Sequence, residues 1–152
     1  MTGELEFILK TAQSFIRRRK LALAETLLLD EYKKWAKHPL INLMLGEISF
    51  LKDNVPASLQ YLKIAYEHGK NISSVVVSYA EKLRLNYEAT RAKEVLQLAI
   101  LNSPCDKVLL ESYANFCLTD QNPLESLKFN SRLLLLFPID SMGHTNIACL
   151  LY

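Results

Sequence analysis

The stretch Tyr79–Asp106, YAEKLRLNYEATRAKEVLQLAILNSPCD, is answered 34 residues later by Tyr113–Asp140, YANFCLTDQNPLESLKFNSRLLLLFPID. Both open on Tyr-Ala and both close on Pro, one residue, Asp. A fixed interval of this size marks stacked supersecondary units, each too small to bury its own apolar face. Stepping by the same interval from Ala80 and Ala114 reaches Gly46 and Ala12 in one direction and Ala148 in the other, all small. Ala24, Ser58, Ala92 and Ser126 form a second small series. A third series, Leu28, Leu62, Leu96 and Asn130, is mostly large, and a fourth runs Ala65, Ala99, Leu133. Pro104 and Pro138 close two units, and no insertion or deletion breaks the register.

Each unit divides into two helical patterns. PLINLMLGEISFL (39–51) and PASLQYLKIAYE (56–67) space their apolar residues by three and four, with the polar turn KDN between them. VVVSYAEKLRL with ATRAKEVLQLAIL, and VLLESYANFCL with PLESLKFNSRLLLLF, read the same way. Pro56 and Pro123 fall at the first turn of second helices, where a missing N–H costs little. The small series has a steric reason: antiparallel helices joined by a tight turn approach closest where side chains are smallest. Ala92 is therefore expected at a helix crossing and its neighbour Lys93 on an exposed face.

A helix–turn–helix period of 34 residues resembles the tetratricopeptide repeat. That family favours small residues at the eighth, twentieth and twenty-seventh places and Pro at the thirty-second. Gly46, Ser58 and Ala65 match in one unit; Ala80, Ala92, Ala99 and Pro104 match in the next; Ala114, Ser126 and Pro138 match in the third. Residues 5–38 match at Ala12, Ala24 and Leu28, while Glu31 and Leu133 replace the third small residue in their units. The resemblance implies an all-α fold, a right-handed α/α superhelix. Its units are 5–38, 39–72, 73–106 and 107–140, with 141–152 the first helix of a fifth. Residues 1–152 are expected to be one solenoid domain and an N-terminal piece of a longer protein.

Composition excludes several classes of function. A net charge of +2 is too mild to argue for a nucleic-acid partner, and no apolar run approaches a membrane span. MTGELEFILK places acids where a secretory signal needs basic residues, and the three cysteines (Cys105, Cys117, Cys149) are unclustered, so a cytoplasmic location is expected. With four glycines in all and no phosphate loop, nucleophile elbow or zinc-protease motif, neither catalysis by this chain nor a cofactor or metal is expected. His38 precedes Pro39 at a unit boundary, and His68 precedes Gly69 where a helix should end. Both are read as structural, with Gly69 as the helix-ending residue. His144 and Cys149 lack companions for a metal site. Arg17–Lys20, RRRK, is the sharpest charge feature; it is read as a solvated turn at a helix C-terminus.

In the tetratricopeptide family the first helices line a concave groove. Carried over by position, that implies a peptide-binding face with Leu9, Lys10, Gln13, Val77 and, as chief candidates, Leu43, Met44, Glu47, Phe50, Ser78, Glu81, Ser112, Asn115 and Asn146. Met44 and Phe50 are side chains that re-pack around an apolar anchor. Members that hold acidic chaperone tails use a clamp of Lys, Asn and Arg; here Leu9, Gln13, Met44, Ser74 and Ser78 occupy those places, so that function is not expected. An asparagine ladder would need Asn at Lys10, Met44, Ser78 and Ser112 as well as Asn146. The expected function is a protein–protein interaction scaffold gripping a peptide or protein segment. Two alternatives stand beside it: a recruiting arm of a larger enzyme such as a glycosyltransferase or sulfotransferase, and a small secretion-type chaperone. The apolar run Ile147, Cys149, Leu150, Leu151, Tyr152 is expected to self-associate or to await a further helix.

Overall fold

A computed structural model describes residues 2–138 and 147–148. Among them eight helices follow one another: α1 (Thr2–Arg17), α2 (Leu21–Trp35), α3 (Pro39–Leu51), α4 (Val55–His68), α5 (Ser73–Leu85), α6 (Ala89–Asn102), α7 (Lys107–Thr119) and α8 (Pro123–Leu136). No strand occurs among the described residues. Successive helices pack as antiparallel pairs, and each pair stacks on the next through α2 with α3, α4 with α5 and α6 with α7. The odd-numbered helices also touch one another, α1 on α3, α3 on α5 and α5 on α7. Closer stacking on that side bends the array so that the odd helices line its inner face.

The small series sits at the crossings. Ala12, Ala24, Ala92 and Ala114 are fully buried, as are Ser58 and Ser126. Gly46 lies so close to α4 that a Cβ built on it would stand 2.7 Å from Leu62 Cγ, inside any real contact. The large series, Leu28, Leu62 and Leu96, fills the space one turn away, and Leu133 at the fourth-series place is equally buried. Two clusters result: one around Ile8, Leu28, Ile41 and Ile48, the other from Leu62 through Tyr79 and Leu96 to Tyr113 and Leu133. Asn130, the one polar member of the third series, is buried and donates from Nδ2 to the Ser126 carbonyl at 2.9 Å. Ser126 Oγ in turn donates to the Ala114 carbonyl at 3.0 Å, tying α8 to α7, whereas its counterpart Ser58 Oγ is buried with no partner among the described residues.

The turns inside the pairs share a backbone feature. Arg19, Asp53, Tyr87 and Gln121 have φ of 58°, 60°, 64° and 54°, and they recur at the interval of the repeat. None is a glycine, although this left-handed region favours glycine. Each lies just before a second helix, where Asn54 and Asn122 accept from the N–H groups of Ala57 and Glu125 at 3.2 and 3.3 Å. Asp106 caps α7 in the same manner, accepting from Leu109 N–H at 3.1 Å.

One sequence expectation is refined, one is overturned and one falls outside the described residues. Gly69 follows the last residue of α4 as its C-cap, as expected, with φ −136° rather than a left-handed value. It is needed for space, because a Cβ there would lie 2.7 Å from Pro39 Cβ and 2.9 Å from the Ala65 carbonyl oxygen. Lys93 is half-buried rather than exposed, and its Nζ is paired with Glu125 at 3.2 Å. Glu125 also accepts from Tyr113 Oη at 2.7 Å, so a polar cluster joins α6, α7 and α8. The expected C-terminal run lies outside the described residues, except that Ile147 is half-buried.

Candidate peptide-binding groove

On the inner face, α5 and α7 part slightly and leave a cavity of about 350 Å³. Its floor is apolar: Val77 and Ala80 from α5, Val108 and Phe116 from α7, with Leu96 of α6 beneath. The rim is polar, with Glu81 and Arg84 on one side and Glu111, Ser112, Asn115 and Thr119 on the other. The floor exists because places that are small in every unit, such as Ala80, face the groove as well as the crossing. Leu96 therefore reaches the cavity from the layer below. Phe116 is held by stacking on Tyr113, with ring centroids 6.3 Å apart, and Tyr113 is fixed by hydrogen bonds to Glu125 and from Gln97 Nε2 at 2.8 Å.

Of the candidate residues, Glu81, Ser112 and Asn115 line this cavity, together with Val77. Leu43, Met44, Glu47, Phe50 and Ser78 do not. Leu43 packs on the C-terminal core cluster and Met44 on the N-terminal one. Asn146 lies outside the described residues. Arg84, Glu111, Phe116 and Thr119 complete the cavity and were not singled out by position. Their signal was available in the helical spacing, since Arg84 and Thr119 stand three and four residues beyond Glu81 and Asn115.

Next to the cavity, Lys82 is only 5% exposed. Its Nζ lies 4.2 Å from the centre of the Phe50 ring and 3.5 Å from carboxylate oxygens of both Glu47 and Glu81. A buried ammonium is tolerated only when paired, and here an aromatic face and two carboxylates supply the pairing. Glu47 and Phe50 thus hold α3 to α5 through Lys82. The acidic character that Glu81 gives the cavity rim is offset in part by that lysine.

Neither the thiols nor the basic turn adds chemistry to this cavity. Cys117 is buried, and burial pushes its thiol up to about 11, so it stays protonated at neutral pH. Cys105 is exposed, and Arg17–Lys20 form no ion pair among the described residues. Among the described residues no group of three or more His, Cys, Asp or Glu side chains is arranged to hold a metal. No described helix is long and apolar enough to cross a membrane.

No family model matches the chain, and no curated protein matches it in sequence. Solved structures match its fold. The Pseudomonas aeruginosa pilF protein superposes with a TM-score of 0.84 at 14% identity, over 97% of this chain and 67% of that one. TTC0263, a thermophilic tetratricopeptide-repeat protein from Thermus thermophilus, gives 0.80 at 15% identity, over 95% of this chain and 79% of that one. YrrB, described as a tetratricopeptide-repeat protein with an unusual peptide-binding site, gives 0.69 at 12% identity, over 94% and 74%. At these identities the likeness concerns the fold, and it spans almost the whole chain. Helices in antiparallel pairs, small residues at each crossing and agreement with these structures lead to one conclusion: the chain is folded as a tetratricopeptide-repeat solenoid.

Proposed function

We propose that the chain is a protein–protein interaction scaffold whose inner face receives a peptide segment between α5 and α7. The observation that carries the proposal is the cavity itself. An apolar floor of Val77, Ala80, Val108 and Phe116 is ringed by groups that donate and accept hydrogen bonds. Such a combination suits one apolar anchor side chain, with the peptide backbone meeting the rim. Val108 is 47% exposed, so apolar surface is available for a partner to cover. The peptide-binding description of YrrB, a fold neighbour, agrees with this use of the scaffold.

The test begins with peptides selected on the immobilised chain from a displayed random library. Ser112→Trp fills the cavity from its rim, where Ser112 is only half-buried and the helix has room to hold the ring. The selected peptides should lose at least about tenfold in affinity for this variant, the loss of one well-packed anchor. The melting temperature should stay near that of the parent chain. Peptides that bind both proteins equally well would place the binding face elsewhere.

A further inference from the structure

A second cleft, of about 520 Å³, opens at the other side of the array, where α2 ends, α3 begins and α4 ends. Lys33, Lys34, Trp35, Lys37, His38 and His68 line it, and none of them lines the cavity between α5 and α7. His38 and His68, read separately in the sequence, meet here because Gly69 brings the end of α4 against Pro39. We propose that this cleft is a docking site for an acidic segment of a partner protein, separate from the inner groove.

Three observations carry this. The lining contains three lysines and no carboxylate. Lys34 is committed to Glu4 at 2.9 Å, but Lys33 and Lys37 form no ion pair or hydrogen bond among the described residues, and both are exposed. Second, Trp35 stands in the wall of the cleft, so its indole reports on what docks there although its N–H is turned into the protein. Trp35 Nε1 is buried without a partner, and His38 Nδ1 is likewise buried and unpartnered beside it. The two rings meet edge to face at 6.0 Å. Third, the last carbonyl of α2, which would otherwise repel an anion, is already occupied, as are two in the turn that follows. The Trp35 carbonyl accepts from His38 N–H at 2.8 Å, and Asn42 Nδ2 donates to the carbonyls of Ala36 and His38 at 2.8 and 3.0 Å. Asn42 is itself fully buried, so this arrangement is fixed. Burial holds the His38 pKa below its ordinary value, which leaves the lysines as the source of positive charge.

The chemistry favours a run of carboxylates over a single phosphate. Lysines are flexible point charges rather than bidentate forks, and no glycine turn presents backbone N–H groups to one small anion. The cleft is open enough for several acidic side chains of one extended segment to reach Lys33 and Lys37 in turn.

The single tryptophan, Trp35, reports on the site directly. The full chain in low-salt buffer is titrated with hexaglutamate, with heat and tryptophan emission followed together. Saturable heat with a matching change in emission is expected, weakening as salt is added. Lys33→Gln with Lys37→Gln should weaken the affinity by about tenfold, since two charge contacts are lost. Absence of saturable binding overturns the proposal. Equal affinity in the double variant, or heat without a change in emission, also overturns it, because the segment then sits elsewhere. Inorganic phosphate or hexalysine reproducing the emission change would overturn the choice of an acidic segment. Stronger binding to vesicles of anionic lipid than to hexaglutamate would reassign the face to a membrane surface.

Discussion

Replacing Tyr87 with glycine should make the protein more stable, although it deletes a large side chain. Tyr87 sits at φ 64° in the turn between α5 and α6 and is 97% exposed, so its ring contributes no packing. The hydrogen bonds of the turn are made by the backbone: Tyr87 N–H to the Arg84 carbonyl at 3.1 Å and Glu88 N–H to the Leu83 carbonyl at 2.9 Å. Both survive the substitution. A non-glycine residue in the left-handed region costs about 1–2 kcal/mol. Glycine returns about 0.4–1 kcal/mol of that through the greater freedom of the unfolded chain. The net gain should be about 0.5–1 kcal/mol, a rise of about 1–4 °C in melting temperature for a chain of this size. Asp53→Gly should gain less, because aspartate tolerates φ near 60° better than an aromatic residue does. Thermal melts by circular dichroism on the parent and both variants decide the matter. A Tyr87→Gly protein that melts at or below the parent temperature would refute the left-handed assignment of these turns.

Further expectations concern the crossings and the polar cluster. Ser126→Ala removes a buried hydrogen bond to the Ala114 carbonyl and should cost about 1–2 kcal/mol, while Ser58→Ala removes an unpartnered buried hydroxyl and should be neutral or stabilising; urea unfolding of the two variants checks the contrast. Ala92→Phe should destabilise by at least about 1–3 kcal/mol through overpacking, and Glu94→Phe, on the exposed side of the same helix, should cost far less in the same urea assay. Hydrogen bonding from Tyr113, followed by Lys93, holds the Glu125 carboxyl below its usual range. A depressed carboxylate contributes stability that is present above the unfolded-state value of about 4.3 and is lost as the pH falls through the folded-state value. Melting temperature should therefore fall as the pH drops below about 4.5, and Glu125→Gln should flatten part of that fall.

The architecture was legible because close helix crossings tolerate only small side chains, and Ala12, Gly46, Ala80 and Ala114 keep that requirement visible at a constant interval. The turn conformation was hidden for the opposite reason. Arg19, Asp53, Tyr87 and Gln121 share no residue type, and the packing of the helices on either side imposes a backbone that none of them prefers. Gly69 ends α4 as its sequence context suggests, but the contact with Pro39, far earlier in the chain, that requires a glycine there was not legible. Lys93 misleads for a related reason, and the burial of Lys82 has no sequence signal of its own. A lysine reads as exposed until Glu125, or Glu47, Glu81 and Phe50, arrive to surround it. Position within the repeat placed Glu81, Ser112 and Asn115 at the cavity, but where the groove is deepest depends on which side chains on neighbouring helices leave space.

The most direct test of the inner groove is nuclear magnetic resonance of the isotopically labelled chain, with and without a peptide selected from the displayed library. The account predicts that the largest amide shift changes cluster on Val77, Ala80, Glu81, Ser112, Asn115 and Phe116, along facing sides of α5 and α7. Changes confined to the outer helices α2, α4, α6 and α8, with the α5–α7 residues unmoved, would contradict it.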